Sequence, residues 1–126
     1  LLEAAMFDEL NAERARNGRR ALVLDRQLSA IARGYAREML QERFIGHVTP
    51  SGATLEVRLH REGYVYHHAG ENLAYTTGDE NEAFAHLVAS PGHHAIMLDG
   101  RFTKVGIGAV AASVYATMFV QEFADE

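Results

Sequence analysis

Lys104-Val105-Gly106-Ile107-Gly108-Ala109-Val110-Ala111, followed after Ala112-Ser113 by Tyr115-Ala116-Thr117-Met118-Phe119-Val120-Gln121-Glu122-Phe123, decides the architecture. In the first segment Val105, Ile107 and Ala109 alternate with Gly106 and Gly108, the two-residue period of a strand. A strand face built of glycines marks a place where another backbone or helix approaches closely. In the second segment Met118-Phe119-Val120 is apolar on both faces, which predicts a sheet covered on both sides. Ala112-Ser113 turns the chain between the two strands. The strong helical signals lie upstream of this hairpin. The expected fold is therefore α+β, a three-layer α–β–α sandwich around a small antiparallel sheet.

Moving outward, residues 1–16 carry Leu2, Ala5, Met6 and Leu10 near a 3.6 period and stop at Asn17-Gly18. Arg14, Arg16, Arg19 and Arg20 cluster at that stop and read as a solvated helix end. Ala21-Leu22-Val23-Leu24 is a short apolar approach. Asp25 caps a second helix, where Leu28, Ile31, Ala32, Tyr35 and Met39 form one buried stripe. Two glycines and a proline in 44–52 make an irregular loop. Thr54 caps a third helix, Leu55 to about Glu62, with Leu55 and Leu59 inward and Gly63 closing it. Tyr64-Val65-Tyr66 has strand character, and Glu71 falls on the loop that follows. Asp79-Glu80-Asn81-Glu82 has the form of a capping box ahead of a fourth helix with Phe84, Leu87 and Val88 inward. Ser90 and Pro91 then start a short helix, with the Ser90 hydroxyl as its cap and His93 in its first turn.

The 126 residues read as one domain, 1–126. Hydrophobic content of 48% and charged content of 23% are ordinary for a globular chain. A net charge of −5 leaves no basic stripe, which argues against nucleic acid and anionic lipid surfaces as partners. The absence of cysteine excludes a disulfide framework and thiolate metal sites. No run approaches the ~20 apolar residues of a membrane span. Residues 1–5 lack the basic start and apolar run of a signal peptide, so any sorting signal is expected upstream of Leu1.

His47, Glu71 and His93 each follow a glycine, which lets a backbone or a ligand come close. Two imidazoles and a carboxylate are a donor set that catalytic zinc sites use, with a fourth position left for water. The three are far apart in sequence, so only the fold can gather them. The alternative is that each pins its own loop, Glu71 accepting from backbone N–H groups and His47 donating to a carbonyl. Glu82 and His86 are i, i+4 neighbours able to pair on a helix face. Of His67 and His68, at most one can edge a shared cleft. His60 faces solvent. Tyr64, Tyr66 and Tyr75 suit core or rim packing.

Taken in order, Gly46-His47-x-x-Pro50-x-Gly52, Gly70-Glu71-Asn72-Leu73-Ala74, Ser90-Pro91-Gly92-His93, Phe102-Thr103-Lys104-Val105-Gly106-Ile107-Gly108 and Phe119-Val120-Gln121-Glu122-Phe123 closely resemble the bacterial branch of the CAP superfamily. That superfamily includes cysteine-rich secretory, antigen-five and plant pathogenesis-related proteins. The resemblance covers nearly the whole chain. It implies the same sandwich, an extracellular or cell-surface location, and a cleft carrying two histidines and two acids. By motif His47, Glu71 and His93 match three of these four. The remaining acid usually follows a Trp-Tyr pair on the helix before the second histidine. Here Leu87 stands at the tryptophan position and Ser90 at the acidic one, leaving Glu82 or His86 as stand-ins from the same helix. The implied function is a binding module whose cleft takes zinc or another divalent cation through His47, His93 and Glu71. Its partner would be an extracellular protein, cell-wall or lipid ligand. The alternatives are a metal-assisted hydrolase of peptide or cell-wall material, with Glu71 as base, and a lipid carrier with an apolar groove between helices.

Overall fold

The structure, a computed structural model, describes residues 1–125. In chain order the elements are α1 (Leu2–Arg16), β1 (Val23–Leu24), α2 (Arg26–Glu42), α3 (Leu55–Arg61), β2 (Ala69–Thr76), α4 (Glu80–Ala89), α5 (Pro91–Met97), β3 (Lys104–Ser113) and β4 (Ala116–Ala124). The strands form one sheet in the order β1-β3-β4-β2. Its three long strands are antiparallel, with Val105 opposite Phe123 and Glu71 opposite Glu122.

The two faces of β3 and β4 sort the helices. Val105, Ile107, Phe119 and Phe123 pack with Met6 and Leu10 of α1, Phe84 and Leu87 of α4, and Met97 of α5. On the opposite face Met118 and Val120 pack with Ala32, Tyr35, Ala36 and Met39 of α2. Leu28, Ile31, Leu59 and Ala124 join α2 and α3 to the end of the same face. The glycine reading of β3 holds closely. A Cβ on Gly106 would lie 2.2 Å from the Leu28 carbonyl carbon, and one on Gly108 would lie 2.5 Å from the Arg33 nitrogen. The backbone of α2 therefore rests directly on bare strand.

The caps at Asp25, Thr54 and Asp79 each accept a backbone N–H, from Leu28, Val57 and Glu82. Four local expectations differ from the fold. Val23-Leu24 is a short edge strand parallel to β3, tied by Val23 N–H to Thr103 O and Asp25 N–H to Val105 O. Tyr64–Tyr66 is not a strand. Gly63 takes φ +68 and the Tyr64 N–H donates to Leu59 O, which folds the buried ring back over α3. The third long strand is instead Ala69–Thr76, so Glu71 lies on a strand and not on a loop. Its Gly-Glu-Asn start hid it, because those residues are poor strand formers until packed. Finally, the arginines after α1 are not all solvated. Arg14 is buried and donates to the carbonyls of Arg20, Met97 and Asp99 at 2.7, 2.7 and 3.2 Å, and Arg19 donates to Leu98 O at 2.7 Å. These two cations satisfy the last carbonyls of α5, whose dipole favours positive charge there.

Candidate functional site

Glu71 and Asn72 are adjacent on β2, so their side chains leave opposite faces of the sheet. Each holds one of the motif histidines. On the α2–α3 face, Glu71 Oε1 lies 2.8 Å from His47 Nδ1. On the other face, Asn72 Nδ2 donates to His93 O at 3.0 Å and to Gln121 Oε1 at 3.1 Å. The structure thus brings Glu71 and His47 together. The His93 ring hydrogen-bonds Ser90 instead, with Nδ1 2.9 Å from Oγ. That contact also corrects the expected cap. Ser90 occupies the N-cap position of α5, but its hydroxyl makes no bond to a helix N–H.

Around Glu71 the chain builds a buried ionic network. Arg58 of α3 donates from Nη1 to Glu71 Oε2 at 2.8 Å and from Nη2 to Glu71 Oε1 at 2.9 Å, a two-pronged pairing. Its Nη2 also donates to His47 O at 2.9 Å. The guanidinium lies 3.5 Å over the Tyr35 ring, a favourable cation–π contact once water is excluded. The Tyr35 hydroxyl donates to Gly46 O. The His47 loop is therefore held at two successive carbonyls and at the imidazole.

Glu122, opposite Glu71 in the register, is the second acid of the network. It is 1% exposed and its Oε2 lies 3.5 Å from Arg58 Nη1. Burial, then the hydrogen bond and charge of Glu71, push the Glu122 carboxyl well above the ordinary range, against a smaller opposing pull from Arg58. Burial pushes Glu71 up as well. The hydrogen bond with Glu122, the Arg58 pairing and the His47 contact outweigh it and hold Glu71 below its ordinary value. One proton on Glu122 and one negative charge on Glu71 is the arrangement this favours, since two carboxylates this close to one cation do not both ionise. Burial likewise lifts the Tyr35 phenol to about 12, keeping it a neutral donor.

Seen from solvent, the cleft is about 350 Å³ and is lined by His47, Val48, Thr54, Leu55, Glu56, Glu71 and Ile96. The His47 side chain is 56% exposed and that of Glu71 is 2% exposed, so the imidazole is what a ligand meets. With Nδ1 facing a carboxylate, Nε2 is the nitrogen left to the cleft. Glu82 and His86 are not among the lining residues, and the Glu82 carboxylate folds back against Gly78. His68 is occupied elsewhere, with Nδ1 2.7 Å from Asp125 Oδ2. Among the described residues no group of three His, Asp or Glu side chains is arranged to hold a metal.

Arg58, Tyr35 and Glu122 are the functional candidates that the sequence reading passed over. Two left a signal. Arg58 falls at the i+3 position of the Leu55–Leu59 stripe, where a charge needs a buried partner. Glu122 interrupts the face formed by Met118, Val120 and Ala124. Tyr35 sat correctly in the buried stripe, but nothing in its spacing told that its hydroxyl would reach Gly46.

The same set of motifs and folds occurs in known proteins. Residues 7–123 match the model of the CAP family, described as the cysteine-rich secretory protein family. Two Bacillus subtilis proteins are similar: YlbC, described as an uncharacterized membrane protein, at 30% identity over 122 residues, and YkwD at 29% over 119. The matches take in 96% and 94% of this chain but only 35% and 46% of those proteins, so the chain spans less than half the length of either. Among solved structures, an extracellular SCP-domain protein of Bacillus anthracis superposes with a TM-score of 0.91 at 28% identity, over 99% of this chain and 40% of that one. An outer surface protein of Borrelia burgdorferi shares the fold at a TM-score of 0.90 and 22% identity, over 98% of this chain and 91% of that one. With the family model matched over residues 7–123 and the fold shared with an SCP-domain protein at a TM-score of 0.91, the chain belongs to the cysteine-rich secretory protein (CAP) family.

Proposed function

We propose that this CAP domain is an extracellular binding module that presents the imidazole of His47 at the mouth of a pre-formed cleft. One observation carries the reading: both oxygens of the buried Glu71 carboxylate are engaged by protein partners. Its two oxygens offer about four lone-pair directions. Arg58 takes two and His47 one. A carboxylate so engaged, with 2% of its side chain exposed, is placed to orient a histidine and not to meet a water from the cleft, which favours binding over hydrolysis. The descriptions of the Bacillus anthracis and Borrelia burgdorferi proteins as extracellular and outer-surface support the location. Among the described residues no helix is long and apolar enough to cross a membrane.

The same geometry favours one form of metal binding over the one expected from sequence. A carboxylate on Nδ1 of a histidine is the usual outer partner of a metal-bound imidazole. Glu71 suits that orienting role better than direct ligation. A divalent cation such as zinc would then use Nε2 of His47, with Glu71 behind the ring; His93 does not line that cleft, so its Nε2 would join as a second ligand across the edge of β2, with Ser90 behind it.

The test is a zinc chloride titration followed by imidazole 15N shifts in the parent, His47→Ala and His93→Ala proteins, alongside peptidase and amidase assays of the parent and Glu71→Gln. The reading expects zinc to shift the Nε2 resonances of both histidines, either variant to abolish this, and no hydrolysis. An unmoved parent spectrum refutes the metal site. Hydrolysis that disappears in Glu71→Gln refutes the binding module.

A further inference from the structure

We propose that the open edge of β2 captures an extended peptide as an added strand. The inference rests on the binding-module reading and names the class of partner. β2 is the last strand of the sheet. The hydrogen-bond pattern fixes which of its peptide groups are spare. Val105 of β3 accepts from the Asp25 N–H just past β1, so the odd-numbered residues of β3 face β1 and the even-numbered ones face β4. Through the pairs Gly106–Glu122 and Gly108–Val120, the even-numbered residues of β4 face β3, and Gln121 and Phe119 face β2. Their partners are Asn72 and Ala74. The ladder is thus carried by Gly70, Asn72 and Ala74, and the N–H and C=O groups of Glu71, Leu73 and Tyr75 point away from the sheet. Among the described residues these outward groups make no hydrogen bond within the chain.

Sheet edges are ordinarily blunted by proline, lysine, a bulge or brevity. β2 has none of these; its one inward charge, Glu71, is paired with Arg58 and buried, so the accessible stretch of the edge starts at Leu73. It runs eight residues as AGENLAYT with an unbroken register, and Tyr75 is 46% exposed. What pairs with spare, alternating donors and acceptors is another extended main chain, and pockets beside the edge read its alternate side chains. Two such pockets flank it. The His47 cleft, with Val48, Leu55 and Ile96, lies at the Glu71 end. A groove of about 380 Å³, lined by Met39, Leu40, Arg43, Phe44 and Ile45, lies at the Leu73 end, where Leu73 packs in one cluster with Met39, Leu40 and Phe44. The partner is therefore an extended segment with apolar side chains at alternate positions.

The probe is the capped hexapeptide acetyl-Val-Thr-Val-Thr-Val-Thr-amide at millimolar concentration, read by amide hydrogen exchange. The amides of Leu73 and Tyr75 should slow by about tenfold, the effect of one gained hydrogen bond of ordinary strength, while those of Gly70, Asn72 and Ala74 stay unchanged. Tyr75→Pro removes an outward N–H and leaves the ladder intact, so it should bind about tenfold more weakly than Tyr75→Ala. The same peptide N-methylated at alternate amides tests the parent protein without any substitution, and it should bind no better than Tyr75→Pro binds the unmodified peptide. Unprotected outward amides, equal binding by the proline and alanine variants, or equal binding of the N-methylated peptide would overturn the proposal. So would protection of the same amides at high protein concentration without peptide, which assigns the edge to a second copy of the chain. Neither readout uses the His47 ring, so the outcome of the zinc titration and the outcome here are told apart.

Discussion

Replacing Arg58 by methionine tests the buried network directly. Methionine keeps most of the length and apolar contact of the side chain while removing the guanidinium. The parent loses two bonds to Glu71, one to His47 O and the stacking on Tyr35. What remains is a pair of acids with 2% and 1% side-chain exposure and no cation between them. Removing one partner of a buried ion pair costs about 3–5 kcal/mol, because the other charge is left without compensation. In a domain of this size that corresponds to a fall of roughly 10–20 °C in melting temperature. The pH dependence gives the sharper test. In the parent the folded Glu71 value is lowered, so its contribution is present above its unfolded value and is lost as pH falls through the folded one. Glu122 is raised, so its contribution is present below its unfolded value and is lost as pH rises toward the folded one. Without Arg58 both acids are of the raised kind. The variant should therefore regain stability relative to the parent as pH falls from neutrality toward the carboxylate range. Urea unfolding at several pH values measures this. A loss below about 1 kcal/mol, the range of an ordinary surface pair, or a difference that does not narrow on acidification, would refute the network as described.

Two glycines should respond in opposite directions. Gly106→Ala drives a methyl into the α2 backbone and should cost about 3 kcal/mol or more. Gly34→Ala, in the middle of α2 with no atom within 4 Å of the new Cβ, should gain about 0.5–1 kcal/mol; thermal melts of the pair check both signs. Ser90→Ala should cost less than the ~1 kcal/mol of a lost helix cap, since the hydroxyl serves His93. Its signature should be a changed 15N tautomer pattern of the His93 ring, and a full cap-sized loss with an unchanged ring would contradict the assignment. Asp125 accepts the N–H groups of His67 and His68 and faces the His68 ring. Burial pushes its carboxyl up, but these bonds bring it down to about 2 from 3.8. Its contribution is present above 3.8 and is lost as pH falls toward 2. Asp125→Asn should flatten that part of the acid-unfolding curve, and an unaltered curve would count against the anchor.

Periodicity carried much of the fold. The α2 stripe, the caps at Asp25, Thr54 and Asp79 and the glycine face of β3 are local patterns, and each is set by residues within a few positions of one another. β2 was illegible for the opposite reason: Gly70-Glu71-Asn72 becomes strand only because β4 pairs with it and two helical layers bury it. Arg14 shows the same limit, since its partners at Met97 and Asp99 lie at and just past the end of a helix far along the chain.

The sequence by itself determined the sandwich, the family motifs and the identity of His47, Glu71 and His93 as residues set apart by their glycine neighbours. It could not say what each would touch. Only the tertiary structure decided that Glu71 answers to Arg58 and Glu122, and that Asn72, one residue on, reaches His93. The reason is the alternation of a strand: neighbours in sequence are sent to opposite faces, and which partners wait on each face is settled by pairing across the sheet.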